Sequence, residues 1–405
     1  MASASVRGEE AAATLNELIG IAIENNKDLQ AARFAVQQAQ ARLIQAGLRP
    51  NPRLDLTTTN DLLFGNYGEY AAGVGIGQPF SLTHRLARQQ DVARVDIDRI
   101  TAETLDSERR LAGAVAAAYY RAVSLTQQSS ARDRLIDIDR HLAEVSRRRF
   151  RAAEVSEIDV NVAQLEMLRL QQERALLRNE QLVQIAQLNQ LLGRTSFEPL
   201  NLGDTLPNTA ATAALSELRE GAFARRPDLR AAKLAAARAT ADQELARAQR
   251  WEDINVSLGV DQSRLVLDNG PRQSTSRALG ISVSIPLPLF NKNQGRIAET
   301  RAVQSQADAQ VDALKLNIAN EVAGAFAEAG RLRQIADEFA RDLLPVSERN
   351  VRLAQKGYAE GLVTLAEVVQ VQRQQGDITV ASLNSLDQYW QAWVRLQVAA
   401  AIGIR

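Results

Sequence analysis

The chain has 405 residues, with 48 Lys+Arg against 48 Asp+Glu, two histidines and no cysteine. Zero net charge argues against a nucleic-acid protein, whose affinity rests on excess basic charge, and the missing thiols exclude disulfides and thiolate metal sites. Hydrophobic residues make up 45% and aromatics only 4%, a composition suited to long helices packed side by side, where Ala lets backbones approach.

Met1-Ala2-Ser3-Ala4-Ser5 lacks a basic stretch followed by an apolar one, so no secretory leader is expected in these residues. No apolar run reaches the ~18 residues of a membrane-crossing helix. After a segment 1–14, helical periodicity begins near Leu15 and ends near Gly47 to Pro52. Strands are predicted at about 53–63 and 71–81, because Leu54 and Leu56 alternate with Asp55 and Thr57, and Val74 and Ile76 with Gly73, Gly75 and Gly77. A polar turn, Gly65-Asn66-Tyr67-Gly68, separates them.

A very long helix follows. Gly113 is the only glycine between Gly77 and Gly193, and no proline falls between Pro79 and Pro199. Leu111, Val115, Tyr119, Ala122 and Leu125 form one apolar stripe at helical spacing, and Leu135, Ile138, Leu142 and Val145 another. From Leu86 to Phe150 the rise of ~1.5 Å per residue reaches roughly 100 Å, a coiled coil or tall helical cylinder and not a compact globule. The returning helix carries Ile158, Val162, Leu165 and Leu168, then Ile185, Leu188 and Leu192.

The same order then repeats. Leu15-Asn16-Glu17-Leu18 is echoed by Leu215-Ser216-Glu217-Leu218, Asp28-Leu29 by Asp228-Leu229, and Gly73-Val74 and Pro79 by Gly280-Ile281 and Pro286. Val115 and Tyr119 meet Val322 and Phe326, and Gly193 meets Gly403. The chain divides into a first repeat at 15–200, a linker at 201–213 holding Gly203 and Pro207, and a second repeat at 214–405. The second pair of strands is predicted at about 253–267 and 277–288, around the turn Asp268-Asn269-Gly270-Pro271.

Chemistry is sparse. Gly73-Val74-Gly75-Ile76-Gly77 lacks the spacing of a nucleotide loop and continues as a strand. Arg147-Arg148-Arg149 reads as a solvated helix face. His141 and Glu144 have metal-ligand spacing without a third ligand, and His84 has no acid or base partner. No catalytic constellation stands out, so neither an enzyme nor a cofactor site is expected.

Alternation of about ten residues with one apolar face suits a membrane barrel strand, and equally a soluble half-buried hairpin. Four strands cannot close a barrel, and open edges in lipid cost several kcal/mol per unpaired group. If the strands lie in a membrane, copies of the chain pool them, and three copies give twelve.

Tandem repeats of helix, strand, strand, long helix, turn and helix resemble the TolC family of outer-membrane factors, from about Leu15 to Gly403. The run Ile285-Pro286-Leu287-Pro288-Leu289-Phe290-Asn291-Lys292-Asn293-Gln294-Gly295 resembles the strand-to-helix passage of its cation-efflux (CzcC/CusC-like) branch. Gln78-Pro79-Phe80-Ser81-Leu82 is a looser counterpart, and Asn51-Pro52 before a strand also fits. Arg149-Phe150-Arg151-Ala152-Ala153 and Lys356-Gly357-Tyr358-Ala359-Glu360-Gly361 resemble the family's periplasmic tips.

The resemblance implies a mainly α fold with a membrane β-barrel portion. Three chains would share a twelve-stranded barrel and a long α-helical barrel in the outer membrane and periplasm. It implies a periplasmic adaptor (membrane fusion protein), an inner-membrane RND-type pump and outer-membrane lipid as partners, and heavy-metal cations as cargo. A drug, solvent or secretion channel of the same fold is the nearest alternative, and a soluble coiled-coil protein the alternative of another class. Many members of this branch carry a lipid-modified N-terminal cysteine, which this sequence lacks.

On the same ground, Arg149, Phe150, Ala153, Val155, Ser156, Gly357, Tyr358, Gly361, Leu362, Val363 and Thr364 become candidates for adaptor docking. Glu367, Gln370 and Asp159 become candidates for the periplasmic aperture, although Asp159 and Glu367 also suit the first turn of a helix for its dipole alone. Val74, Ile76, Ile281, Val283 and Ile285 are expected to face lipid, with the tips ~100 Å from the barrel.

Overall fold

The computed structural model describes residues 13–60, 68–196, 198–203, 205–210, 212–266 and 273–403. The turn expected at Asp268 to Pro271, most of that at Gly65 to Gly68, and the outer ends of the first and third predicted strands lie outside the described residues.

The first repeat holds α1 (Leu15–Asn25), α2 (Lys27–Gly47), β1 (Arg53–Asn60), β2 (Tyr70–Phe80), α3 (Arg85–Arg151) and α4 (Glu157–Leu191). The second holds α5 (Leu215–Arg225), α6 (Pro227–Ala248), β3 (Ile254–Arg264), β4 (Ser276–Ser284), α7 (Gln294–Glu338), α8 (Leu344–Ala359) and α9 (Leu365–Ala399). A single π-helical turn, Phe339–Leu343, joins α7 to α8. Each repeat opens with two helices where the periodicity suggested one. Asn26 breaks the first: its Oδ1 accepts from Leu29 N at 3.0 Å and its Nδ2 donates to Leu191 O at 3.0 Å. Pro227 breaks the second, because the residue before a proline avoids the helical region, and Arg226 sits at φ −63°, ψ 120°.

Contacts divide the chain into two compact units, each drawing on both repeats. One comprises Met1–Arg33, Thr104–Pro227 and Leu314–Arg405, and the other Phe34–Glu103 and Asp228–Ala313. The first unit is helical and holds the main core. Leu18, Ala22, Val115, Leu188, Leu192 and Tyr389 are fully buried there, and Tyr120 stacks on Trp390 with ring centroids 4.6 Å apart.

The linker belongs to this core. Leu202 and Leu206 are buried in it. The Tyr389 hydroxyl accepts from Ala210 N at 2.8 Å and donates to Ala210 O at 3.1 Å, while Trp390 Nε1 donates to Pro207 O at 2.9 Å. Both backbone groups of Ala210 are thereby satisfied where the linker meets the core.

The second unit carries one antiparallel sheet in the order β1-β2-β3-β4. Leu56 faces Val74, Val74 faces Val260 and Val260 faces Leu279, while Leu54, Ile76, Leu258 and Ile281 form the next row. The register therefore gathers every apolar residue of these two rows on one face.

Candidate functional site

The sheet has one bare apolar face. Val74, Ile76, Ile281, Val283 and Ile285 are between 52% and 74% exposed, and Leu54, Leu56 and Leu279 join them. The other face is lined by small and polar residues. A Cβ on Gly73 would stand 2.2 Å from Asp261 Oδ1 and 2.6 Å from Thr57 Oγ1, so the glycine makes room for polar neighbours to lean across the strand. Among the described residues β1 and β4 are each paired on one side only. A sheet with an uncovered apolar face and two open edges is unfinished in water and in lipid alike.

The two helical tips share one frame. In the first, Ala153 N donates to Phe150 O at 2.9 Å and Glu154 N to Arg149 O at 2.9 Å. In the second, Gly361 N donates to Tyr358 O at 3.1 Å and Leu362 N to Gly357 O at 2.8 Å. This double bond closes a helix on a residue at positive φ, here Ala153 at 59° and Gly361 at 73°. Ser156 and Thr364 then cap α4 and α9. Val155 and Val363 are half-buried at the turns, and Phe150 and Leu362 are exposed. Arg149 ties the tips together: its Nε donates to Glu154 Oε2 at 3.1 Å, and its guanidinium lies 5.1 Å from the centre of the Tyr358 ring.

Asp159 and Glu367 are the acidic partners of these caps. Asp159 Oδ2 accepts from Ser156 N at 2.9 Å and from Ser156 Oγ at 2.7 Å. Glu367 Oε2 accepts from Thr364 N at 2.7 Å and from Thr364 Oγ1 at 2.9 Å. The backbone bond from Thr364, then the hydroxyl bond, hold the Glu367 carboxyl below its ordinary value. Each is a reciprocal capping box, which accounts for an acid there without further function. Gln370 is exposed, on a groove of about 780 Å³ also lined by Val162, Val369, Arg373 and Asp377.

Below the core, the apolar stripes are only partly covered: Leu142 and Val162 pack on a small cluster with Ala143, Ala163, Leu365 and Val369. Ile138 is 42% exposed, Ile158 72% and Leu165 66%. On α3 the buried positions fall beside the predicted stripe, at Ile136, Asp139, Ala143 and Ser146. Sequence reading missed the charges this rotation buries. Glu166, 4% exposed, is held by Arg169 at 2.6 Å and by Arg373 at 2.5 Å. Burial pushes its carboxyl up, but hydrogen bonds from the two arginines outweigh burial and hold it below the ordinary value. Asp139 is pushed up to about 6 by burial, then by the Glu166 charge, against the opposing pull of Arg169 and Arg373. Only Glu166 and Arg169, one helical turn apart, left a local signal.

Among the described residues no cluster of three or more His, Asp or Glu side chains could hold a metal ion. His84, His141 and Glu144 are exposed, and among the described residues no helix is long and apolar enough to cross a membrane.

A family model described as "Outer membrane efflux protein" matches residues 18–194 and 218–401. CyaE of Bordetella pertussis is 30% identical over 219 residues, covering 53% of this chain and 46% of its own length, so the chain spans about half of that relative. The cobalt-zinc-cadmium resistance protein CzcC of Cupriavidus metallidurans is 21% identical over 94% of this chain and 88% of its own length. The pyoverdine export outer membrane protein OpmQ of Pseudomonas putida is 27% identical over 89% of this chain and 79% of its own. The crystal structure of CusC, described in terms of folding and transmembrane channel formation, superposes with a TM-score of 0.77 at 19% identity, over 99% of this chain and 95% of that one.

Proposed function

The chain belongs to the outer membrane efflux protein family, and on that premise we propose that three copies pool their strands into one closed twelve-stranded barrel. The family consists of channels, not enzymes. One observation carries the assembly: a four-stranded sheet, apolar on one face and polar on the other, with a free edge on each side. Closing three such sheets satisfies every edge, gives Val74, Ile76, Ile281, Val283 and Ile285 to lipid, and turns the glycines, serines and Asp261 toward a water-filled lumen. An Arg at Val283 then costs ~2–4 kcal/mol near mid-membrane.

In this reading the chain is the outer-membrane conduit of a tripartite efflux system. Phe150 to Ser156 and Gly357 to Thr364 meet a periplasmic adaptor, the cargo comes from an inner-membrane pump, and Glu367, Gln370 and Asp159 border the periplasmic aperture. The cargo is heavy-metal cations, in keeping with the end-to-end likeness to CzcC. A chain with no cysteine, two histidines and two methionines offers soft metals little to bind, so the pump would select and the channel conduct. The likeness to OpmQ, named for pyoverdine export, favours a second cargo, an exported organic molecule.

Native mass spectrometry of the detergent-solubilised protein should give a trimer, and a monodisperse monomer without detergent would overturn the assembly. Loss of the gene should sensitise the host to cobalt, zinc or cadmium. Unchanged metal tolerance with an organic molecule retained in the periplasm would instead establish the second cargo.

A further inference from the structure

Both open edges of the sheet end in bare apolar overhangs. Beyond β4 the chain runs Ile285-Pro286-Leu287-Pro288-Leu289-Phe290, where Ile285 is 52% exposed, Leu287 and Leu289 66% and Phe290 92%. Pro286 and Pro288 lack the N–H that would continue a regular ladder, so the contact this segment can make beyond β4 rests mainly on its side chains. Just before β1, Ile44 in the last turn of α2 is 70% exposed, and Leu48, the residue after the helix, 54%. All these residues belong to the sheet-bearing unit.

We propose that these overhangs are two halves of one seam, in which Leu287, Leu289 and Phe290 of one copy dock on Ile44 and Leu48 of the next. The proposal rests on the pooled barrel above. The β1 and β4 edges are different surfaces, so copies join head to tail and each junction sets β4 beside the next copy's β1. Alternate strands of the sheet are antiparallel, so in the closed barrel the end of β4 lies beside the start of β1, the same end where both overhangs begin.

Parity fixes the register further. Antiparallel partners point to the same side, and the apolar face carries Leu54 and Leu56 on β1 but Leu279, Ile281 and Val283 on β4. Even-numbered β1 residues must therefore face odd-numbered β4 residues. With strand ends level, Arg53 faces Ser284, and Leu48 and Leu289 lie equally far outward along the chain from that pair, with Leu287 nearer the sheet. The other occupant of such a patch is the membrane boundary, where amphipathic rings are favoured. Trp251, exposed just before β3, has that character, whereas Phe290 and its leucines carry no polar tip and suit a dry contact with protein.

The cysteine-free chain allows a direct test. Paired substitutions Leu48→Cys with Leu289→Cys, and Leu48→Cys with Leu287→Cys, are treated in outer membranes with a short thiol cross-linker. The pair Asp55→Cys with Ser282→Cys reports the barrel seam independently. Dimer and trimer ladders from an overhang pair and from the edge pair support the proposal. A ladder from the edge pair alone overturns the overhang seam and leaves the trimeric barrel standing, and no ladder from any pair removes both. A fluorophore on Leu289→Cys that is quenched by spin-labelled lipid would assign the overhang to the membrane and overturn the seam by a separate route. Phe290→Asp should lower the temperature at which the trimer dissociates, while Leu82→Asp, on the other strand-to-helix passage, leaves it near that of the parent. Equal loss in both would also count against the seam.

Discussion

Each repeat closes its helical hairpin at two ends on a residue at positive φ, but the repeats assign glycine and alanine in opposite order. The first uses Ala153 at 59° at the tip and Gly193 at 71° at the far end, and the second uses Gly361 at 73° at the tip and Ala401 at 51° at the far end. The geometric counterpart of Gly193 is therefore Ala401, not Gly403 as the sequence comparison suggested: Arg194 N donates to Asn189 O and Ile402 N to Gln397 O in the same pattern. The left-handed turn is imposed by chain reversal, and alanine accepts it at a strain of about 1–2 kcal/mol. Space decides where glycine is compulsory. A Cβ on Gly193 would stand 2.4 Å from Asn25 O, whereas on Gly361 it would meet nothing within 4 Å.

Exchanging the two residue types should expose this difference. Gly193→Ala combines strain with a backbone clash and should lose about 3 kcal/mol or more, read as the urea midpoint of the detergent-solubilised protein. Gly361→Ala adds strain alone and should lose about 1 kcal/mol. Equal losses would mean that φ, and not space, ranks these sites.

The hairpins also differ at matching buried positions. Asp139 on α3 and Ser347 on α8 stand equally far before their tips, and each is 5% exposed. Ser347 Oγ donates to Leu344 O at 2.8 Å and needs nothing else. Asp139 carries a carboxyl pushed up to about 6. An acid whose folded value lies above its unfolded value of about 4 binds extra protons when folded. Its contribution thus favours folding at low pH and is lost as pH rises from about 4 to about 6. Asp139→Asn should flatten that slope and raise stability at pH 7 by about 1–3 kcal/mol. A slope unchanged by the substitution would show that Asp139 is solvated in the assembled protein.

The elements were legible because their periods are long and uninterrupted: α3 spans 67 residues, close to the Leu86 to Phe150 span read from the sequence. The extra residue between Phe326 and Gly361, relative to Tyr119 and Ala153, was also in the sequence. Its accommodation was not. The π turn at Phe339–Leu343 lies in this interval, and a π turn takes one more residue than an α turn. The apolar stripe Leu135, Ile138, Leu142 and Val145 marked the helix but not its buried phase, since the single chain buries Asp139 and Ser146 beside it. An apolar stripe announces that something covers it, not that the same chain does. The Glu166–Arg373 pair joins α4 to α9, a long-range contact that no local pattern reports.

The smallest change concerns the two capping acids, whose equal geometry leaves one difference to find. Glu367→Gln keeps a side-chain oxygen able to accept from Thr364 and removes the charge, and Asp159→Asn does the same at Ser156. Both variants should keep the turn and the trimer, since capping needs an acceptor more than a charge. If Glu367 borders the aperture, its three copies attract cations together, and Glu367→Gln should lower the cation preference of the pore in a planar bilayer at low salt, where screening is weakest. Asp159→Asn measures how much of that change any acid near a tip produces. A shift confined to Glu367→Gln gives the second tip the electrostatic role. Equal shifts place both acids near the ion path, and no shift in either leaves them as the helix-start residues that their hydrogen bonds already explain.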